Sequence, residues 1–219
     1  MVGVMMENAL VTLVSVFLGW LLGITSTVVV ERIRSRKLRK ALKVMLRSEL
    51  TELRYMMAFL VLSLNILLGE FDDKIRQWVK PIVLSYDGPN KAEGLKIVLE
   101  KTANTDDRIF REYARLQQTQ GKGKSLKKYY MPFFESQMQN LPLLDFKLQT
   151  GLHDVHTTLS CINQSIEEYR WYFEKTFDST LGELNPGILS YNITQCYQAI
   201  ATHGRKLADR ISALLEEIR

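Results

Sequence analysis

Hydrophobic positions along this chain follow two regimes, one continuous and one periodic. Residues 9–30 read ALVTLVSVFLGWLLGITSTVVV, 22 positions without a charge. At about 1.5 Å per residue, a helix of that length spans about 33 Å, enough to cross a hydrocarbon core of about 30 Å. A transmembrane helix is therefore expected there. Beyond it the pattern becomes periodic. Leu46, Leu50, Leu53, Met57, Leu60, Leu64, Leu67 and Phe71 alternate steps of four and three, the seam of an amphipathic helix rather than the alternation of a strand. Ile75 and Trp78 extend that seam, and Pro81 is expected to end it.

A second uncharged run, YMMAFLVLSLNILLG over 55–69, has only 15 positions, carries Asn65 and lies inside the seam. A span needs about 20, so this run is expected to be a core helix. Further along, 92–101 suggests a short helix carrying Leu95, Val98 and Leu99. Thr105-Asp106-Asp107 can cap another helix with Ile109, Tyr113 and Leu116 on one face. A short helix or turn over 132–140 leads to Pro142, which suits the first turn of a long helix. Its seam runs through Leu144, Leu148, Leu152, Val155, Leu159, Ile162, Ile166, Tyr169, Phe173 and Phe177. Gly182 and Asn185-Pro186-Gly187 are expected to break the chain before a last helix bearing Leu189, Ile193, Cys196, Ile200, His203, Leu207, Ile211, Leu214 and Ile218.

The fold class is thus all-α: a single N-terminal transmembrane helix followed by a cytosolic antiparallel helical bundle. The expected divisions are a short extracytoplasmic N-terminus (1–8), the transmembrane helix (9–30), a basic juxtamembrane helix (31–47) and the bundle (48–219).

Charge supplies an orientation. Eight Lys or Arg and one Glu lie between 31 and 47, a net +7 in a chain whose total is +5. The 48–219 region is left near neutral, which makes nucleic acid an improbable partner, because a nucleic-acid surface concentrates its cations on the folded domain. Arg32, Arg34, Arg36, Lys37, Arg39, Lys40 and Lys43 directly follow the apolar run. Positive flanks stay on the cytoplasmic side, so the N-terminus is expected outside and the bulk of the chain inside, at a bacterial inner membrane. The same cations suit anionic lipid headgroups. A cleaved signal peptide fits poorly: its basic residues precede a shorter apolar run and a small-residue exit follows, whereas here only Glu7 precedes the run and Val28, Val29 and Val30 close it. Cys161 and Cys196 are too few for a disulfide framework and are expected to be free.

Candidate chemistry is sparse. Ser15, Gly19, Gly23 and Thr27 recur every four residues and include a Gly-x-x-x-Gly step, a face on which two membrane helices can approach closely. GKGKS at 121–125 lacks the first glycine of a phosphate-binding loop, since Gln118 occupies that place, and no strand precedes it. Lys122, Lys124, Lys127 and Lys128 remain a candidate anionic-ligand loop. His153 and His156 share a helical face, but no Glu-x-x-His or His-Glu-x-x-His pattern accompanies them. Trp171 and Tyr172 are expected to turn outward from the long helix. No set of nucleophile, base and orienting group converges in the sequence, so neither an enzyme nor a cofactor is expected.

One anchor plus a helical domain resembles, in outline, small bacterial membrane-anchored accessory proteins and the membrane effectors of antiviral systems. The expectation is an interaction or scaffold protein, itself homo-oligomeric, that recruits or senses a cytosolic protein partner at the lipid bilayer. The alternative is a membrane-perturbing effector that oligomerises through its transmembrane helix.

Overall fold

A computed structural model of the chain describes residues 2–101, 126–177 and 186–218. The described residues are helical throughout their regular structure, with no strand among them. The chain divides into two compact units, Met1–Val44 and Met45–Arg219. Helix α1, Val2–Leu68, contributes to both.

In the first unit α1 carries the apolar run, whose described side chains, Leu13 and residues 15–30, are exposed. In the second unit the same helix becomes a core element. Leu46, Leu50, Leu53, Met57, Leu60 and Leu64 are buried, all on the seam read from the spacing. Burial also takes in Tyr55, Ala58, Val61, Leu62 and Ile66, so the 55–69 run is enclosed on several sides. Asn65 lies within it and donates its side-chain amide to the Val61 carbonyl at 2.8 Å, which satisfies that polar group inside the core.

The seam does not continue to Trp78 as one helix. Gly69 adopts φ 71°, a conformation that costs glycine little and other residues more. Its N–H donates to Ile66 O at 3.2 Å and Glu70 N–H to Asn65 O at 3.0 Å, the paired bonds of a Schellman ending. Asp72 then caps a new helix, α2 (Asp73–Leu84), by accepting from Ile75 N at 2.8 Å. Pro81 falls inside α2 rather than ending a helix. Its missing N–H would have met the carbonyl of Gln77, which lies on the exposed side, while Ile82 and Val83 on the next turn are buried.

Helix α3 (Glu93–Lys101) packs with α2. Leu95 and Leu99 join Ile75, Val79, Val83, Tyr86, Tyr55, Leu62 and Ile66 in one cluster. Tyr55 and Tyr86 stack with ring centroids 4.0 Å apart, and the Ala92 N–H donates to the Tyr55 hydroxyl at 2.7 Å.

After an irregular stretch over 126–131 come a short helix α4 (Pro132–Ser136) and a 3-10 segment, Met138–Leu143. Pro142 sits in that segment. The long helix that it was expected to open, α5 (Phe146–Lys175), begins four residues later. The last helix, α6, runs Pro186–Glu217 with Pro186 and Gly187 in its first turn, while Gly182 and Asn185, expected with them to break the chain, lie outside the described residues.

Helices α5 and α6 are antiparallel. Lys147 pairs with Glu217 at 2.6 Å, Arg210 donates to the Thr158 hydroxyl at 3.0 Å, and the rings of Tyr169 and Tyr197 lie 5.1 Å apart. The α5 seam is buried from Leu148 to Tyr169. It ends there: Phe173 is half-buried and Phe177 is 74% exposed, because α5 stops at Lys175. Helix α6 is also antiparallel to the second-unit part of α1. Gly204 faces Val61, and Gln198 donates to Glu70 at 2.9 Å. Trp78 of α2 completes this side by donating to Asp209 at 2.7 Å beneath the Arg205 guanidinium.

Candidate functional site

The apolar stretch of α1 is the most distinctive chemical feature. One helix among the described residues is long and apolar enough to cross a membrane, and none of the described side chains of its apolar stretch is buried. Val16 is 67% exposed and Trp20 62% exposed, with Phe17, Leu18, Leu21, Leu22, Ile24, Val28 and Val29 also open. Exposing so large a contiguous apolar area to water is costly, and a globular domain rarely does it. Two hydroxyls within the run are satisfied locally. Thr25 donates its hydroxyl to Leu21 O at 2.8 Å and Thr27 to Gly23 O at 2.9 Å, so neither presents an unpaired donor to a hydrocarbon medium.

Ser15, Gly19, Gly23 and Thr27 lie along α1 as their spacing predicts. A Cβ added at Gly19 or Gly23 would meet nothing within 4 Å, so a flat strip of backbone is open to another helix. The basic residues Arg32, Arg34, Arg36, Lys37, Arg39, Lys40 and Lys43 continue on the same helix. They are not equivalent. Arg34 and Lys37 line a shallow groove of about 610 Å³ with Val30, Ile33, Leu38 and Ala41, whereas the other five do not. Treating the seven as one cluster misses that separation, although the residue spacing carries it.

The expected anionic-ligand loop is only partly visible. Lys122 and Lys124 lie outside the described residues, as does the helix expected after Thr105. Lys127 is exposed. Lys128 is engaged in an ion pair with Glu167 of α5, and that pairing holds the Glu167 carboxyl below its usual range.

The stretch containing Lys128 is strapped to the bundle by side chains. Asn163 accepts from Tyr129 N at 2.9 Å and donates back to Tyr129 O at 2.7 Å. Arg170 grips the Leu126 carbonyl through two nitrogens at 3.1 and 2.7 Å. Glu49 of α1 accepts from Phe133 N at 2.8 Å and Phe134 N at 2.9 Å. Partial burial pushes the Glu49 carboxyl above its usual value, against the opposing pull of those two amides. Beside it lies a cleft of about 490 Å³ lined mainly by apolar atoms of Met45, Leu53, Met56, Tyr130 and Phe133. The cleft's two carboxylates, Glu49 and Glu52, are committed to structure, Glu52 accepting from Asn90. The strap role of Asn163, Arg170 and Glu49 is not legible in the sequence, where Asn163 only opens an Asn-Gln-Ser triplet, because an Asn or Arg on a helix says nothing about a loop passing over it.

The histidines separate: His153 is exposed, whereas His156 turns toward Glu135 at 3.6 Å and rests on Phe134. Among the described residues no three His, Cys, Asp or Glu side chains gather as metal ligands would. Cys161 is exposed, Cys196 is buried, and both are free. Trp171 is exposed with Lys175 over its ring, and Tyr172 meets it edge-on while remaining half-buried. No known family model matches the chain, and neither does any curated protein or solved structure.

Proposed function

We propose that the chain is a single-pass membrane protein whose helical bundle recruits or senses a protein partner at the cytosolic surface. The observation that carries this proposal is the uncovered apolar stretch of α1 leading directly into seven cations. A bilayer removes that apolar surface from water, and the cations hold the following residues on the cytosolic side. Confinement to a surface then raises the effective concentration of whatever the bundle binds. The open strip at Gly19 and Gly23 supports a second copy as a partner within the membrane.

Two measurements test this. Alkaline extraction of membranes should leave the full chain in the pellet, and protease added to intact spheroplasts should spare the bundle. Recovery in the supernatant, or digestion of the bundle from outside, would sink the topology. Purification in mild detergent with mass determination should then yield a complex heavier than one chain. Gly19→Leu with Gly23→Leu should reduce any homo-oligomer without dispersing a bound partner.

A bilayer-breaching effector is the second reading, and the same open strip favours it. Residues 55–69, the other uncharged run, lend it little as a second segment to enter the bilayer, since most of that run is locked in the core. Leakage of dye-loaded vesicles by the full chain, abolished by the glycine replacements, would promote it over recruitment.

A further inference from the structure

The cations after the apolar run divide by helical phase. At about 100° per residue, Arg32, Arg36, Arg39, Lys40 and Lys43 share a sector about 100° wide. Arg34 and Lys37 fall in a different sector, among Val30, Ile33, Leu38 and Ala41, the six residues of the shallow groove. Val30 is 61% exposed, Ile33 49% and Leu38 40%, so this is an open stripe that joins aliphatic surface to two positive charges.

We propose that Arg34 and Lys37, with the aliphatic stripe around them, form a discrete site for one anionic phospholipid of the cytosolic leaflet, a site that presupposes the anchor proposed above. Three features select this occupant. Residues three apart on a helix hold their Cβ atoms about 5–6 Å from each other, close enough for both cations to reach one phosphate. A guanidinium can take two phosphate oxygens side by side, and the ammonium adds a point charge. Val30 and Ile33, on the bilayer side of the pair, offer an acyl chain the apolar contact that a free phosphate cannot use.

Depth is the second feature. The apolar run closes at Val30, and Arg34 and Lys37 follow it by about 6 and 10 Å of helix rise. Headgroups occupy roughly 5–8 Å beyond each side of the hydrocarbon. Long side chains at those two positions therefore end in the phosphate layer, as do those of Arg32 and Arg36, which only the helical phase sets apart, whereas Arg39, Lys40 and Lys43 begin farther out.

The third feature excludes a second copy from this part of the stripe. Lys37 and Val30 occupy the same angular sector as Gly19 and Gly23. A parallel partner packed along the whole sector would oppose Lys37 with Lys37, a repulsive arrangement near the surface. Crossing at Gly19 and Gly23 with the right-handed angle of about 40° typical of such contacts splays the helices before residue 34 and leaves the groove open to lipid.

The test uses the full chain and two charge-matched variants, R34Q/K37Q and R36Q/K40Q. Each is floated with phosphatidylcholine vesicles containing a minority of phosphatidylglycerol, extracted in mild detergent, and examined for retained lipid by native mass spectrometry. The native chain should retain phosphatidylglycerol in preference to phosphatidylcholine. R34Q/K37Q should lose at least about fivefold of it and R36Q/K40Q less than about twofold, given roughly comparable electrostatic attraction per cation near a membrane. Equal losses in both variants would mean diffuse attraction and overturn the site while leaving the anchor standing. Displacement of the lipid by soluble glycerol phosphate at matching concentration would assign the cations to a free anion and overturn it too. Failure of the native chain to float at all would remove the anchor and the site together.

Discussion

Residues 9–30 and residues 55–69 are both uncharged and apolar, and both lie on α1, yet they meet opposite environments. In the first, the described side chains are open all the way round. In the second, Met57, Ala58, Leu60, Val61, Leu62 and Leu64 are almost wholly enclosed by neighbouring helices. Apolarity alone therefore does not locate a helix. Length decides part of it: 22 uncharged positions suffice for a bilayer and 15 do not. Neighbours decide the rest. The shorter run is followed within a few residues by a helix ending and a new cap, so chain that can cover it is immediately available. The longer run is followed by cations, which cannot cover an apolar surface but can hold it at an interface.

The strongest way to break this comparison is to place the same charge in both runs. Leu64→Asp buries an unpaired carboxylate at a fully enclosed position, and a loss above about 5 kcal/mol is expected, enough to abolish a cooperative melt. Leu18→Asp should leave the melt of the second unit unchanged. Instead it should impair membrane insertion, by about 2.5–3.5 kcal/mol at the middle of a span. Circular dichroism melts in detergent and alkaline extraction of membranes read the two effects separately. If Leu18→Asp unfolds the bundle, the first run is a core helix after all.

Much of the architecture was legible in advance because it rests on periodicity. The Leu46–Leu64 and Leu148–Tyr169 seams are read directly from steps of three and four, and both are buried. What was not legible depends on groups that a one-dimensional pattern cannot pair. Gly69 ends α1 through two backbone bonds, although an apolar run ending in glycine with Asp72 three residues on is in retrospect the written form of that turn. Pro81 and Pro142 do not make the boundaries expected of them, because the lost donor and the ring clash that disfavour proline within a helix can be outweighed by packing. Tertiary burial of Ile82 and Val83 outweighed the lost bond at Pro81. At the candidate site, the glycine face and the seven cations are visible as residues, and the spacing of the segment also carries the helical phase that singles out Arg34 and Lys37.

Glycines sharpen the same contrast at intermediate cost. A Cβ at Gly151 would lie 2.3 Å from Leu214 Cδ2, and one at Gly204 would lie 3.0 Å from Val61 Cγ2. Both glycines let antiparallel helices approach. Gly151→Ala should therefore destabilise the bundle by about 1–3 kcal/mol of overpacking. The better helix propensity of alanine returns up to about 1 kcal/mol of this. Gly19→Ala and Gly23→Ala meet nothing within 4 Å and should leave the melt unmoved. A drop at Gly19 equal to that at Gly151 would show that the first run is packed against something within its own chain.

The smallest expected effect concerns Glu49, which holds the 126–136 stretch where the enclosed part of α1 begins. Its carboxyl titrates above 4.5, chiefly because partial burial disfavours the charge, with the Phe133 and Phe134 amides opposing and the nearby Glu135 and Glu52 charges adding to the rise. A carboxyl with a raised folded value binds its proton more tightly in the folded state. Its contribution to stability is complete below the unfolded value of 4.5 and is lost as pH rises through the higher folded one. Glu49→Gln keeps one acceptor for the two amides and removes the titration, so its cost should stay within about 1.5 kcal/mol. Relative to the native chain, the variant should melt comparatively better at about pH 7 than at about pH 4. The opposite trend would mean that the two backbone amides outweigh burial at Glu49, and that this edge of the core is held by a charge rather than weakened by one.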